Sequence, residues 1–166
     1  MVACEAKTGK AKYFDKSDLK QDNYDIFMAS SCIPYVCLPY MVYGEPYYDG
    51  ALADPVPLEK AFALGCDKVV LVLTLPIDTK RNAKQDKFLA DRIRKNYPLA
   101  ADKLEHRAEL YNSCIIQARE FQRDGKLLVI SPDDTCGVST LSRNKNNLIS
   151  LYHKGYKDGE KIQFFL

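Results

Sequence analysis

The chain predicts an α/β domain with a largely parallel sheet, and three observations carry that reading. Two apolar runs, Val69 to Leu75 and Leu127 to Ile130, consist of β-branched residues and leucine, the composition of strands buried on both faces. Between them lie stretches with helical spacing. The clearest runs through Leu104, Ala108, Tyr111, Ile115 and Ala118, separated by four, three, four and three residues. Finally, the 166 residues are 46% hydrophobic and 28% charged, which suits one globular domain able to bury roughly two-thirds of its unfolded surface. Strands alternating with helices pack as layers against a sheet.

The remaining elements follow in chain order. Val2, Cys4 and Ala6 alternate with Ala3, Glu5 and Lys7, and Thr8-Gly9-Lys10 turns the chain into an extended stretch ending at Phe14, which predicts a hairpin. Residues 24–31 fit a short helix. Pro34 and Pro39 bracket an irregular stretch. Met41 to Tyr43, a Gly44-Glu45 turn and Pro46 to Tyr48 predict a second hairpin. Pro57 suits the first turn of a helix that Gly65 closes. Residues 83–95 predict a charged amphipathic helix and 101–123 a longer one. Ser131 to Arg143 reads as polar loop, and a last helix spans 144–154 before Gly155 and Gly159 break the pattern.

Charge and cysteine content narrow the function classes. A net charge of +2 supplies no strong field for nucleic acid. Residues 1–80 hold 8 Lys or Arg against 11 Asp or Glu, and residues 81–166 hold 16 against 11. The basic second half could touch anionic lipid headgroups transiently, although solvated helix faces are the readier explanation. None of the six cysteines forms a Cys-x-x-Cys pair, and only His106 and His153 are available, so no metal site and no cofactor is expected. Cys66 and Cys114 sit in apolar patterns and are expected in the core. Reduced thiols in a cytoplasmic protein are the expected state. No apolar run approaches the roughly 20 residues that span a bilayer. The first residues have neither a basic nor an apolar leader pattern; they read as the middle of a strand.

Several segments in order resemble the patatin-like phospholipases. Asp49-Gly50-Ala51 looks like that family's Asp-Gly-Gly or Asp-Gly-Ala motif. Asp54-Pro55 looks like the Asn-Pro or Asp-Pro pair that follows it, ahead of a helix and the buried strand Val69 to Thr74. Upstream, Ala29-Ser30-Ser31-Cys32-Ile33-Pro34 resembles an Ala-Ser-x-x-x-Pro segment, and Thr8-Gly9 the turn of a strand-turn-strand hairpin. Downstream, Ser131-Pro132-Asp133-Asp134 and Gly137 to Arg143 look like the tail of the bacterial branch. The resemblance implies a partial three-layer α/β/α domain. Residues 1–80 would be the carboxyl-terminal part of the catalytic domain. Residues 81–166 would be a helical and short-strand extension packed on it as one unit.

The resemblance also implies a lipid acyl hydrolase with a Ser–Asp dyad, in which Asp49 is the base. Gly50 would permit a sharp turn and close approach of the next helix. Asp54 would support Asp49 or cap that helix. Ser30, Ser31, Pro34 and Tyr35 would line a substrate pocket, with Tyr40, Tyr43, Tyr47 and Tyr48 walling a lipid cleft or packing in strands. The family's Gly-x-Ser-x-Gly nucleophile and glycine-rich oxyanion loop do not occur here; Gly137-Val138-Ser139-Thr140-Leu141 lacks the second glycine. The expectation is therefore an amino-terminally shortened member, inactive alone, whose uncovered sheet edge invites self-association. The alternatives are a non-catalytic module that binds lipid or protein, and a small nucleotide-binding domain. The second has little support, since neither Gly-x-Gly-x-x-Gly nor Gly-x-x-x-x-Gly-Lys-Ser/Thr occurs.

Overall fold

Both predicted hairpins form, and together they make one sheet. Strands β1 (Val2–Glu5) and β2 (Ala11–Tyr13) pair antiparallel, as do β3 (Tyr40–Val42) and β4 (Glu45–Asp49). Tyr43 and Gly44 both have positive φ, 51° and 82°, the signature of a tight turn whose twist matches its strands. β1 and β4 join the hairpins, again antiparallel, giving the order β2-β1-β4-β3.

Period-two alternation sends neighbouring residues of each strand to opposite faces. Ala3 and Tyr47 take one face and pack with Phe14, Val42 and with Ile26 and Ala29 of α1 (Asp25–Ser30). Cys4 and Tyr48 take the other. There they meet Ala90 and Ile93 of α3 (Lys84–Ile93) and Ala100, Ala101 and Leu104 of α4 (Pro98–Arg123). Helix, sheet and helices thus form three layers. Arg107 fixes α4 to α3 by a two-pronged pair with Asp86, at 2.6 and 3.1 Å, and Asp86 is only 5% exposed.

The remaining elements are α2 (Leu58–Ala63), β5 (Val69–Val72), β6 (Leu127–Ile130) and α5 (Lys145–Gly159). β5 and β6 pair in parallel with Val69 opposite Leu127. Phe62 of α2 stacks on Phe121 of α4 with centroids 4.6 Å apart. The computed structural model describes residues 1–139 and 142–165; Thr140 and Leu141 of the expected polar loop lie outside the described residues. The chain divides into two units, Met1–Val56 with Arg81–Cys114, and Pro57–Lys80 with Ile115–Leu166. Each unit draws on two separated stretches of chain. Among the described residues no helix is long and apolar enough to cross a membrane.

The mixed α/β class and the helical carboxyl-terminal region stand, with differences in detail. Among the described residues the parallel strand pair is β5 with β6, beside one isolated parallel bridge between Pro34 and Cys37, and the other four strands pair antiparallel. β5 is not buried on both faces: Val72 is 65% exposed. Cys66 is exposed and Cys114 half-buried, so the buried thiols are Cys4 and Cys32. α5 continues through Gly155 to Gly159, where the pattern predicted a break. One interior glycine costs only about 1 kcal/mol in a helix, and Asn144 caps the start by accepting the N–H groups of Asn146 and Asn147.

Candidate functional site

Asp49 ends β4 and begins a single 3-10 turn, Gly50–Leu52. Its Oδ1 accepts the Ala51 N–H at 2.8 Å, which holds the side chain over the turn. Its own N–H donates to the Cys32 carbonyl at 2.8 Å, so the segment leaving α1 is drawn against it. Among the described residues no side chain donates to the second carboxylate oxygen, and no serine or threonine hydroxyl reaches it.

Gly50 explains why the turn has this sequence. A Cβ there would lie 2.4 Å from the Val2 carbonyl oxygen and 2.6 Å from Val2 Cγ1. The close approach is to the β1 main chain, not to a following helix. Ala51 contributes its N–H, and Leu52 is fully buried behind the turn.

Asp54 does not cap α2. The cap position is Pro57, with no side-chain hydrogen bond. Instead Tyr13 donates its hydroxyl to Asp54 Oδ2 at 2.5 Å. That bond ties β2 to the loop beyond Asp49. The sequence carried no signal for it, since 41 residues separate the two partners.

The expected pocket residues scatter. Ser30 is the half-buried last residue of α1, Ser31 is exposed at its end and Pro34 is buried. Tyr35 alone lines a cleft, of about 370 Å³, with Leu38, Tyr48, Arg92, Ile93 and Tyr97. Its backbone takes φ 73°, which a bulky side chain adopts only where its surroundings hold it. The Arg92 guanidinium lies 5.2 Å from its ring centroid. Tyr48 meets Tyr97 edge to face at 5.8 Å. Of the other tyrosines, Tyr40 donates its hydroxyl to Asp25 at 2.9 Å and Tyr43 is exposed. Arg92 and Tyr97 were not foreseen, because a charged helix and the short link after it give no sign of which side chains meet a cleft.

The groups around Asp49 are held neutral. Burial pushes the Cys4 thiol up to about 12; Lys103 opposes that, while Glu5 and Asp49 add to it. Burial likewise raises Cys32, and raises the Tyr48 phenol to about 12. None of these is a nucleophile at neutral pH. Among the described residues no three His, Cys, Asp or Glu side chains gather to hold a metal ion.

Against this geometry, residues 5–62 match the patatin-like phospholipase family. The matched stretch contains the β1–β4 sheet from Glu5 onward, α1 and the whole Asp49 turn, and it supports a lipid acyl hydrolase ancestry for that segment. Residues 97–162, which carry α4, β6 and α5, match a domain of unknown function (DUF6363). No curated protein and no solved structure matches the chain.

Proposed function

We propose that the chain supplies the carboxylate of a Ser–Asp dyad in a hydrolase of lipid acyl esters, with Asp49 as general base. One observation carries this: Asp49 stands on a turn that Gly50 forces against β1, one oxygen held by Ala51 and the other open. A carboxylate so placed can accept the proton of a serine hydroxyl brought within about 2.6–3.2 Å. The serine oxygen then attacks the ester carbonyl, the alcohol leaves with a proton, and water releases the acyl group from the serine.

No Gly-x-Ser-x-Gly occurs in these residues, so the proposal assigns the nucleophile and the oxyanion donors to polypeptide beyond them. Asp54, through Tyr13, braces the loop after the turn. The test is hydrolysis of a short-chain nitrophenyl ester. This chain alone is expected to be inactive. A polypeptide joining it to a Gly-x-Ser-x-Gly segment should be active, and Asp49→Asn should abolish that activity. Full activity in the asparagine variant sinks the proposal.

A second reading is lipid binding without cleavage. It draws on the exposed apolar side chains of Phe27 and Met28 in α1, Val36 and Leu38 after it, and Met41 in β3. Vesicle flotation that persists in an inactive joined polypeptide favours it. The free edges at β2 and β3 would be where a second copy pairs, and sedimentation across a concentration series tests that.

A further inference from the structure

We propose that Cys32 and Cys37 are a peroxide-reactive pair whose disulfide locks the segment holding the Asp49 amide. The chain doubles back between them. Pro34 is fully buried, Pro34 and Cys37 form a parallel bridge, and the Cys37 N–H donates to the Ile33 carbonyl at 3.1 Å. Cys32 Sγ donates to the Leu38 carbonyl at 3.0 Å, one residue past Cys37. The two thiols also act on each other. Burial is the main cause that raises the Cys32 thiol, and the Cys37 thiol adds to it through charge and a side-chain hydrogen bond.

The two members differ in access. Cys37 is exposed and lines the cleft of about 370 Å³, where a molecule as small as hydrogen peroxide can reach it. Cys32 is only 4% exposed. An accessible thiol beside a second thiol is the arrangement in which a first oxidation is resolved as a disulfide. Hydrogen peroxide is the oxidant. The Cys37 sulfur attacks one peroxide oxygen, the O–O bond breaks, and Cys37 becomes a sulfenic acid. The hydroxide released takes the thiol proton and leaves as water. The Cys32 sulfur then attacks the Cys37 sulfur and the S–O bond breaks. The Cys32 proton departs with the hydroxyl as a second water, so Cys32 needs no prior ionisation. Two thiols lose two electrons and one peroxide gains them. The Cys32 carbonyl accepts the Asp49 N–H at 2.8 Å, so the cross-link fixes the residue that grips the start of the Asp49 turn. The Asp49 carboxylate takes no part, and the pair reacts whether or not the chain serves ester hydrolysis.

The experiment treats the whole folded chain, dilute and fully reduced, with hydrogen peroxide. Chymotrypsin cutting after Tyr35 then separates Cys32 from Cys37 unless a disulfide joins them. Mass spectrometry should find the two peptides linked, about 2 Da lighter than their sum as thiols, and dithiothreitol should part them. Cys4, also buried, should stay reduced. Cys32→Ser should leave Cys37 as a sulfenic acid that dimedone labels, and Cys37→Ser should leave Cys32 reduced. Hydrogen exchange at the Asp49 amide should slow in the oxidised chain. Conversion of Cys37 to sulfinic acid without a cross-link overturns the proposal. So does a link that forms only in urea, or Asp49 exchange that oxidation leaves unchanged. If Cys32→Ser fails to fold, the peptide map of the unaltered chain still decides.

Discussion

Replacing Gly50 with alanine puts a methyl carbon where β1 already runs. The new Cβ would stand 2.4 Å from the Val2 carbonyl oxygen and 2.8 Å from the Val2 carbonyl carbon. Comfortable contact begins near 3.5 Å, so the overlap is about 1 Å. A flexible side-chain tip would swing aside, but here the obstacle is main chain, fixed by pairing to β2 and β4. Overpacking costs about 1–3 kcal/mol, and a backbone obstacle argues for about 2–3. In a chain of this length each kcal/mol moves the melting temperature by about 2–4 °C. The expected drop is therefore about 4–12 °C, read by far-UV circular dichroism and checked by urea unfolding. Gly155→Ala is the control: its Cβ enters open space in a helix, and it should stabilise by about 0.5–1 kcal/mol. A Gly50→Ala loss below about 0.5 kcal/mol would refute the account of the turn.

Asp86→Asn leaves Arg107 without a carboxylate and should cost about 3 kcal/mol, whereas changing both residues to leucine should recover most of it in the same urea assay. At pH 8 a maleimide should label Cys37 and Cys66 quickly and reach Cys4 and Cys32 only on unfolding; fast labelling of Cys4 would contradict its burial. Cys4 also sets an alkaline limit. The folded thiol keeps its proton to about 12, while the unfolded thiol loses it near 9.0. The unfolded state then binds fewer protons, so stability falls as pH rises from 9 towards 12, by roughly 1 kcal/mol per pH unit from this group. Cys4→Ala should flatten that slope in melts taken across the range. Asp49→Ala should cost about 1 kcal/mol by removing the acceptor of the Ala51 N–H, and Asp49→Asn, which keeps an acceptor, should cost less.

What the sequence made legible was whatever an element shows by itself. Leu104, Ala108, Tyr111, Ile115 and Ala118 were read from spacing alone, and all five are buried. Both hairpins follow from alternation and turn residues. The Asp49-Gly50 turn was visible as a motif, yet the body that Gly50 admits, β1, stands 48 residues earlier and leaves no local mark. Partners across the chain were hidden in the same way: Asp54 with Tyr13, Asp86 with Arg107, Tyr35 with Arg92. The β5 run shows the opposite error. Its composition announces burial, but composition records what a strand tolerates, not what covers it, and Val72 is exposed. Cys66 and Gly155 fail for related reasons, since an apolar neighbourhood in sequence is not one in space, and a helix held at both ends outlasts one poor helix former.

The assembly of the first unit from two separated stretches bears on how it is made. The ribosome releases both hairpins and α1 early, and these already cover the Ala3 and Tyr47 side of the sheet. The Cys4 and Tyr48 side, where Cys32 and Leu52 also pack, is completed by Ala90, Ile93, Ala100, Ala101 and Leu104. At about 5–20 residues per second, Leu104 emerges about 3–11 s after Tyr48. During that interval part of one apolar side of the nascent sheet lacks its covering helices, the kind of transiently exposed surface that makes a folding chain prone to aggregate.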